Sequence, residues 1–284
     1  MPWRSMRNFK GYKVKIFTDG ERRPFSFLDK STKKCYAISI KDKGVRMPIS
    51  KTDFVRGLQC EKMLWLDAHA PEHKVIPPEV QARLDAGNEF GDKAMGIFGD
   101  FIETTTFRED GRLYYAAMIE KTQALVAENT PVICEAAFTW YGNYCAADIL
   151  RREKNGYALY EVKNTFTARK EFITDLGFQR LILRKCGVNV TACKLVLRGD
   201  IPPEGCILPP DEPFEQEEKI EKDGFVYRIV DVTKGARVAD RLASERIFEL
   251  GKLKRKDALM PDIAPSDHCN QPYRCWYYDF CHKE

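Results

Sequence analysis

Hydrophobic spacing divides most of the chain into short amphipathic segments. Phe54, Leu58, Met63 and Leu66 recur at helical intervals after Ser50-Lys51-Thr52-Asp53, a capping box in which Ser50 covers an otherwise unpartnered amide. Cys60 falls inside that predicted helix. Pro77-Pro78 opens a second helix, with Val80, Leu84, Phe90, Ala94 and Ile97 along one side. It contains Gly87 and Gly91. Each glycine weakens a helix by about 1 kcal/mol against alanine, so the pair predicts close approach of another group. A third helix is predicted over residues 112–128 and stops at Asn129-Thr130-Pro131.

Alternation takes over from there. Residues 132–140, 143–152 and 157–164 read as three strands. Asn155-Gly156 between the last two predicts a two-residue type I′ turn, because both residues tolerate positive φ. With that turn, Lys154 faces Tyr157, Leu150 faces Glu161 and Asp148 faces Lys163. A helix over 168–186, ended by Gly187, and a strand over 189–197 complete the order α, β, β, β, α, β. A proline-rich loop over 198–213 leads to a strand at 226–232 and a basic amphipathic helix at 234–254. Residues 261–265 then break the pattern. The expected fold class is α/β.

Residues 1–46 are basic and weakly periodic, with strand-like pieces only at 13–17 and 35–40. They are expected to be a dispensable extension ahead of a domain over 47–284, with Met47 a candidate start. The length of 284 residues, 44% hydrophobic and 31% charged, allows a sizeable core. A net charge of +4 excludes a polycation, so a nucleic-acid groove needs clustered charge, as at Lys252, Lys254, Arg255 and Lys256. No apolar run approaches the roughly 20 residues of a membrane span, and no apolar leader core precedes residue 47. A cytoplasmic protein with no membrane partner is expected.

Two groups of residues carry chemistry. Side chains alternate along strands, so Asp148, Glu161 and Lys163 project from one face. Two carboxylates on a rigid sheet suit Mg²⁺ or Mn²⁺, and a neighbouring lysine can orient water or stabilise charge on a phosphate. A surface hairpin with a cross-strand ion pair gives the same spacing. Asp175 and Gln179 lie four apart and share a face of the following helix, which must pack back on the sheet, so Gln179 can approach the hairpin's end; a polar helix flank gives the same spacing. The second group comes from the ten cysteines, for which disulfides are not expected in a reducing compartment. Cys134, Cys145, Cys186 and Cys193 lie inside predicted elements and read as core. Cys269, Cys275 and Cys281 are equally spaced among aromatic residues, which favours metal ligation over packing. Cys60 is the best fourth ligand, with His268 and His282 as alternatives. Wide spacing and aromatic shielding suit a 4Fe–4S cluster, and four thiolates also bind zinc.

Together these residues resemble the iron–sulfur branch of the RecB-type PD-(D/E)XK nucleases, whose core has the order αβββαβ. The likeness is strongest to the CRISPR-associated Cas-four exonucleases and to a related bacterial domain of unassigned function. The latter has an N-terminus similar to residues 49–66 here. One early and three late cysteines fall on Cys60, Cys269, Cys275 and Cys281, and the motif Asp…Glu-x-Lys on Asp148, Glu161 and Lys163. The family glutamine falls on Gln179. The tyrosine often found four residues later is replaced by Leu183, and Glu89 stands where an early histidine is common.

The resemblance implies metal-dependent hydrolysis of DNA by an exonuclease acting on single-stranded ends, in repair, recombination, CRISPR adaptation or a mobile element. Asp148, Glu161, the Val162 carbonyl and Glu89 would hold Mg²⁺ or Mn²⁺. Lys163 and Gln179 would assist catalysis, and the four cysteines would hold an iron–sulfur cluster joining the two ends of the domain. Trp276, Tyr277 and Tyr278 would shield the cluster or stack bases. A helicase would be a separate chain, and CRISPR adaptation proteins are candidate partners. A DNA-binding or scaffold module without catalysis is the competing reading.

Overall fold

A computed structural model of the chain describes residues 26–28, 35–37, 47–202, 204 and 217–282. The chain divides into two compact units, Met1–Val45 and Arg46–Glu284. In the first, β1 (Ser26–Leu28) pairs antiparallel with β2 (Cys35–Ala37). The strand expected at 13–17 and most of the 198–213 loop lie outside the described residues.

The second unit is mixed α/β. Its helices are α1 (Lys51–Gln59), α2 (Glu61–His69), α3 (Pro78–Ala94), α4 (Tyr115–Ala127), α5 (Lys170–Lys185), α6 (Thr233–Lys252) and the short α7 (Tyr278–Cys281). Its strands are β3 (Ile102–Glu103), β4 (Val132–Trp140), β5 (Asn143–Glu153), β6 (Gly156–Val162), β7 (Val190–Arg198), β8 (Glu217–Lys222) and β9 (Phe225–Asp231). The order α, β, β, β, α, β runs from α4 to β7. The seven strands form one sheet in the order β3-β4-β5-β6-β7-β9-β8. Its pairs are antiparallel except β3 with β4 and β6 with β7. A parallel neighbour for β6 requires a crossover, which α5 supplies.

Strand β6 is buried along its whole length because both faces of the sheet are covered. On one face Leu159 joins Phe54 of α1, Phe178 of α5 and Ile247 of α6. On the other, Ala158 and Tyr160 pack with Phe90 and Ala94 of α3. Helices α5 and α6 meet closely: a Cβ on Gly177 would lie 2.3 Å from that of Ala239. Asp240 of α6 is buried between Arg180 and Arg184 of α5, so the carboxylate keeps charged partners where water is scarce.

Four expectations need correction. The first concerns the helix through Cys60, which is two helices. Cys60 is extended (φ −158°, ψ 115°), ending α1 and preceding α2, and so turns its side chain away from the helical stripe. Ser50 and Asp53 do form the capping box of α1.

The second is the hairpin register. Glu153 pairs with Gly156 and Arg152 with Tyr157, so the turn is Lys154-Asn155 and none of these residues takes a positive φ. Gly156 serves a different purpose: a Cβ there would meet the Asn189 carbonyl oxygen at 2.1 Å. The shift is two residues, so the facing of every side chain is preserved.

Third, a Cβ added at Gly87 or Gly91 would meet nothing within 4 Å, so no part of the described chain fills the space a side chain would take there. Fourth, β8 is not among the strands that alternation predicts. Its residues Glu-Glu-Lys-Ile-Glu-Lys bury little, because it is an edge strand whose charges discourage further pairing. Asp223 (φ 51°) and Gly224 (φ 77°) turn it into β9.

Candidate carboxylate–lysine site and cysteine cavity

The site on the sheet is a row across three strands. Strands β4 and β5 pair in register on either side of Glu135 and Asp148, through Cys134↔Ile149 and Ala136↔Ala147. The same register sets Glu135 opposite Asp148. The β5–β6 register ends at Ile149↔Tyr160, and one further step sets Asp148 opposite Glu161. Neighbouring strands lie about 4.8 Å apart, so three carboxylates stand in a row on the face covered by α1 and α5. Regular pairing lapses at this row. Glu135 takes φ 53°, costly for a residue with a side chain, and Asp148 turns its Oδ2 to the Val162 N–H at 2.7 Å.

Two ammonium groups and an amide enclose the row. Lys163, just beyond β6, donates to Glu161 Oε1 at 2.5 Å and to Asp175 Oδ2 at 3.3 Å. Gln179 Nε2 donates to Glu161 Oε2 at 2.6 Å and to Asp175 Oδ1 at 3.1 Å. From the first turn of α1, Lys51 Nζ lies 3.2 Å from both Glu161 oxygens and 3.4 Å from Asp148 Oδ1. Asp148, Glu161, Lys163, Gln179 and Asp175 are therefore brought together, and Val162 contributes its backbone. Glu89 is not among them: it is exposed and held by Lys93, whose ammonium also lies over the Phe225 ring.

Burial and charge divide the carboxylates. Burial pushes Glu135 up to about 7, with Asp148 adding repulsion. Burial and the Glu161 charge raise Asp175 to about 6 and also raise Asp148. Glu161 is as deeply buried, yet Lys163, Lys51 and the Gln179 amide outweigh burial and hold it well below the usual carboxylate range. Burial works against charge on both lysines, but the facing carboxylates raise Lys51 and Lys163 above an ordinary lysine. Glu161 thus remains an anion at any ordinary pH, while Asp175 and Glu135 take up protons near neutrality.

Sequence reasoning missed Lys51 and Glu135. Lys51 sits inside the capping box, and Glu135 is one acidic residue in an otherwise apolar strand, the signal that could have found it. Ile49 and Ser50 position Lys51: the Ile49 N–H donates to Asn143 Oδ1 at 3.0 Å, the Tyr144 N–H donates to the Ile49 carbonyl at 3.1 Å, and Ser50 bridges to Tyr144.

The second site is a cavity lined by Cys60, Cys269, Cys275 and Cys281 with Met63, Leu66, His268 and Tyr277. Residues from both ends of the unit close it. Gln59 donates to the carbonyls of His268 and Tyr273, each at 2.8 Å, and Tyr277 donates to Asp67 Oδ1 at 2.9 Å. Burial raises the Cys60 and Cys281 thiols and pushes Cys275 up to about 11. His268 lines the cavity, with Nε2 3.7 Å from Cys269 Sγ. His282 stacks on Tyr278. Tyr277 is buried, and Trp276 is half-buried with Arg56 and Lys74 over its ring.

Among the described residues, no three His, Cys, Asp or Glu side chains are grouped closely enough to hold one ion. The donors can still be matched to metals by their chemistry. Mg²⁺ and Mn²⁺ need only one or two carboxylates beside water and substrate oxygens, which Asp148 and Glu161 provide. Among the described residues the Gln179 Oε1 is a buried acceptor without a partner, a place for one more donor. Four thiols around one aromatic-walled cavity suit an iron–sulfur cluster, and four thiolates are also a donor set for zinc.

No family model, curated protein or solved structure matches the chain. Among the described residues no helix is long and apolar enough to cross a membrane. The basic end of α6 is largely engaged within the chain: Lys252 pairs with Glu249, Lys254 with Asp53 and Arg255 with Asp257.

Proposed function

We propose that the chain is a divalent-metal-dependent DNA nuclease of the RecB type, acting on single-stranded ends, with an iron–sulfur cluster on its four cysteines. The supporting observation is the meeting of Asp148, Glu161, Lys163 and Gln179 on one face. The observed order of elements from α4 to β7 is consistent with it.

Asp148, Glu161 and the Val162 carbonyl would hold Mg²⁺ or Mn²⁺. Such an ion supplies positive charge at the phosphate and lowers the pKa of water. Lys163 stays protonated, because Glu161 and Asp175 hold its charge, so it acts as an electrostatic partner of the phosphate and not as a base. Gln179 fixes Glu161 and Asp175 together and keeps Glu161 oriented toward the row. Cys60, Cys269, Cys275 and Cys281 would hold the cluster and tie α1 and α2 to the C-terminal segment.

Anaerobically purified protein should contain iron and degrade end-labelled single-stranded DNA in Mn²⁺. Lys163→Ala should fold normally and lose cutting by at least about a hundredfold, the scale on which removing one charge-stabilising donor acts. Undiminished cutting by this variant would remove Lys163 from the site. A non-catalytic DNA-binding module is favoured by one observation, the ammonium of Lys51 against both carboxylates. Binding of single-stranded, duplex and flap DNA without cleavage in Mn²⁺ would establish that reading.

A further inference from the structure

Lys51 touches both of the carboxylates that a divalent ion would need, Asp148 and Glu161. Its Nζ is within 3.4 Å of Asp148 Oδ1 and of both Glu161 oxygens. Glu161 is buried and Asp148 half-buried, so the two negative charges cannot rely on water. The position of Lys51 is fixed by the fold. Ser50 caps α1 and also bridges to Tyr144 of β5, while the Ile49 backbone bonds on both sides to β5. The side chain is about a quarter exposed, so the ammonium can reach solvent without the helix moving.

We propose that Lys51 is a resident counter-ion of the Asp148–Glu161 pair, displaced when a divalent cation binds, and that it thereby sets the metal affinity of the site. This rests on the nuclease reading of that site. An ammonium and a divalent ion cannot share the same carboxylate oxygens at contact distance. Lys163 is differently placed: it holds only one Glu161 oxygen and also Asp175, and so can remain beside a bound cation. Once displaced, Lys51 sits at the open rim of the row, in reach of an anionic substrate oxygen.

The experiment is Mn²⁺ binding to the full chain, followed by calorimetry and by the electron-spin signal of free Mn²⁺. Lys51→Gln should bind Mn²⁺ about tenfold or more tightly than the wild type, as expected when one unit charge leaves a partly buried site. Lys51→Arg, which keeps the charge, should remain near wild-type affinity. Unchanged or weaker binding by a folded Lys51→Gln overturns the proposal while leaving the metal site standing. Absence of Mn²⁺ binding in wild type and both variants overturns the nuclease reading and this inference with it.

A wild-type measurement keeps the test open if Lys51→Gln does not fold. Acetylation of Lys51 by a limiting amine-reactive ester, read by mass spectrometry, should rise several-fold on adding Mn²⁺. A displaced side chain leaves both carboxylates and stands open to the reagent at the rim. Unchanged or reduced labelling at Lys51 overturns the proposal.

Discussion

Glu135 holds a carboxylate where two neighbouring strands stop pairing. Its backbone is in the left-handed region, its carbonyl accepts from Thr104 Oγ1 at 2.5 Å, and Asp148 lies across from it. Burial raises it from 4.5 to about 7, and Asp175 rises from 3.8 to about 6. A carboxyl raised on folding gives stability that is complete below its unfolded pKa and lost as pH climbs through its folded one. Glu161 is depressed instead, so its contribution is lost only in acid. From pH 4.5 to about 6 Glu135 and Asp175 therefore act in one direction, and Glu135 carries it on to about 7. The metal-free protein should melt at steadily lower temperature as pH rises through that window. Glu135→Gln removes one titrating group and should flatten the slope, with Gln179 and Lys163 contacts retained. An unchanged slope, followed by thermal denaturation in chelator, would remove Glu135 from the proton balance.

At the scale of elements, close packing explains both what the sequence shows and what it hides. The order from α4 to β7 is legible because β4 is a short, largely apolar run, β5 alternates buried and half-buried positions, and α5 ends at Gly187 in a left-handed turn. The hairpin register is not, because the turn is placed by contact with Asn189, more than thirty residues away in sequence. Asp148, Glu161, Lys163 and Gln179 are legible because α5 must fold back on β6. Lys51 and Glu135 are hidden because they come from α1 and β4 and meet the row only in the folded chain. The break at Cys60 is likewise set by residues 269–281, which local helix spacing does not register.

The same packing makes two substitutions diverge. Gly177→Ala puts a methyl group against Ala239, on backbone as well as side chain, and should destabilise the protein by about 1–3 kcal/mol in denaturant titration. Gly87→Ala and Gly91→Ala meet nothing and should stabilise α3 by about 1 kcal/mol each. If DNA passes close to that face of α3, these two variants will cut more slowly although they are more stable. Unchanged cutting would place the substrate elsewhere.

Over the whole molecule, α1 joins the two candidate sites. Lys51 is its first residue, at the carboxylate row, and Cys60 follows its last, at the cysteine cavity. Nine residues of helix span about 13 Å, so the centres are linked by one short rigid rod. The cysteine end has its own small apolar cluster around Met63, Leu66 and Tyr277, and hydrogen bonds that include Gln59 to the His268 and Tyr273 carbonyls, Tyr277 to Asp67, and Trp65 to the Ala258 carbonyl at 2.9 Å. The sheet has its own two-faced core and does not depend on them. Removing the proposed cluster, by chelation or by Cys275→Ser, should therefore loosen one end of the molecule and leave the other folded. Hydrogen exchange should rise in α2 and in residues 263–281 while β5, β6 and β7 stay protected. The start of α1 is the informative segment. It is bonded to β5 through Ile49 and capped by Ser50, so it should remain protected and keep Lys51 at the carboxylates. Protection lost along the whole of α1 would mean that the cysteine end holds the carboxylate row together. Protection lost in the strands as well would mean that the sheet does not stand without the cysteine end.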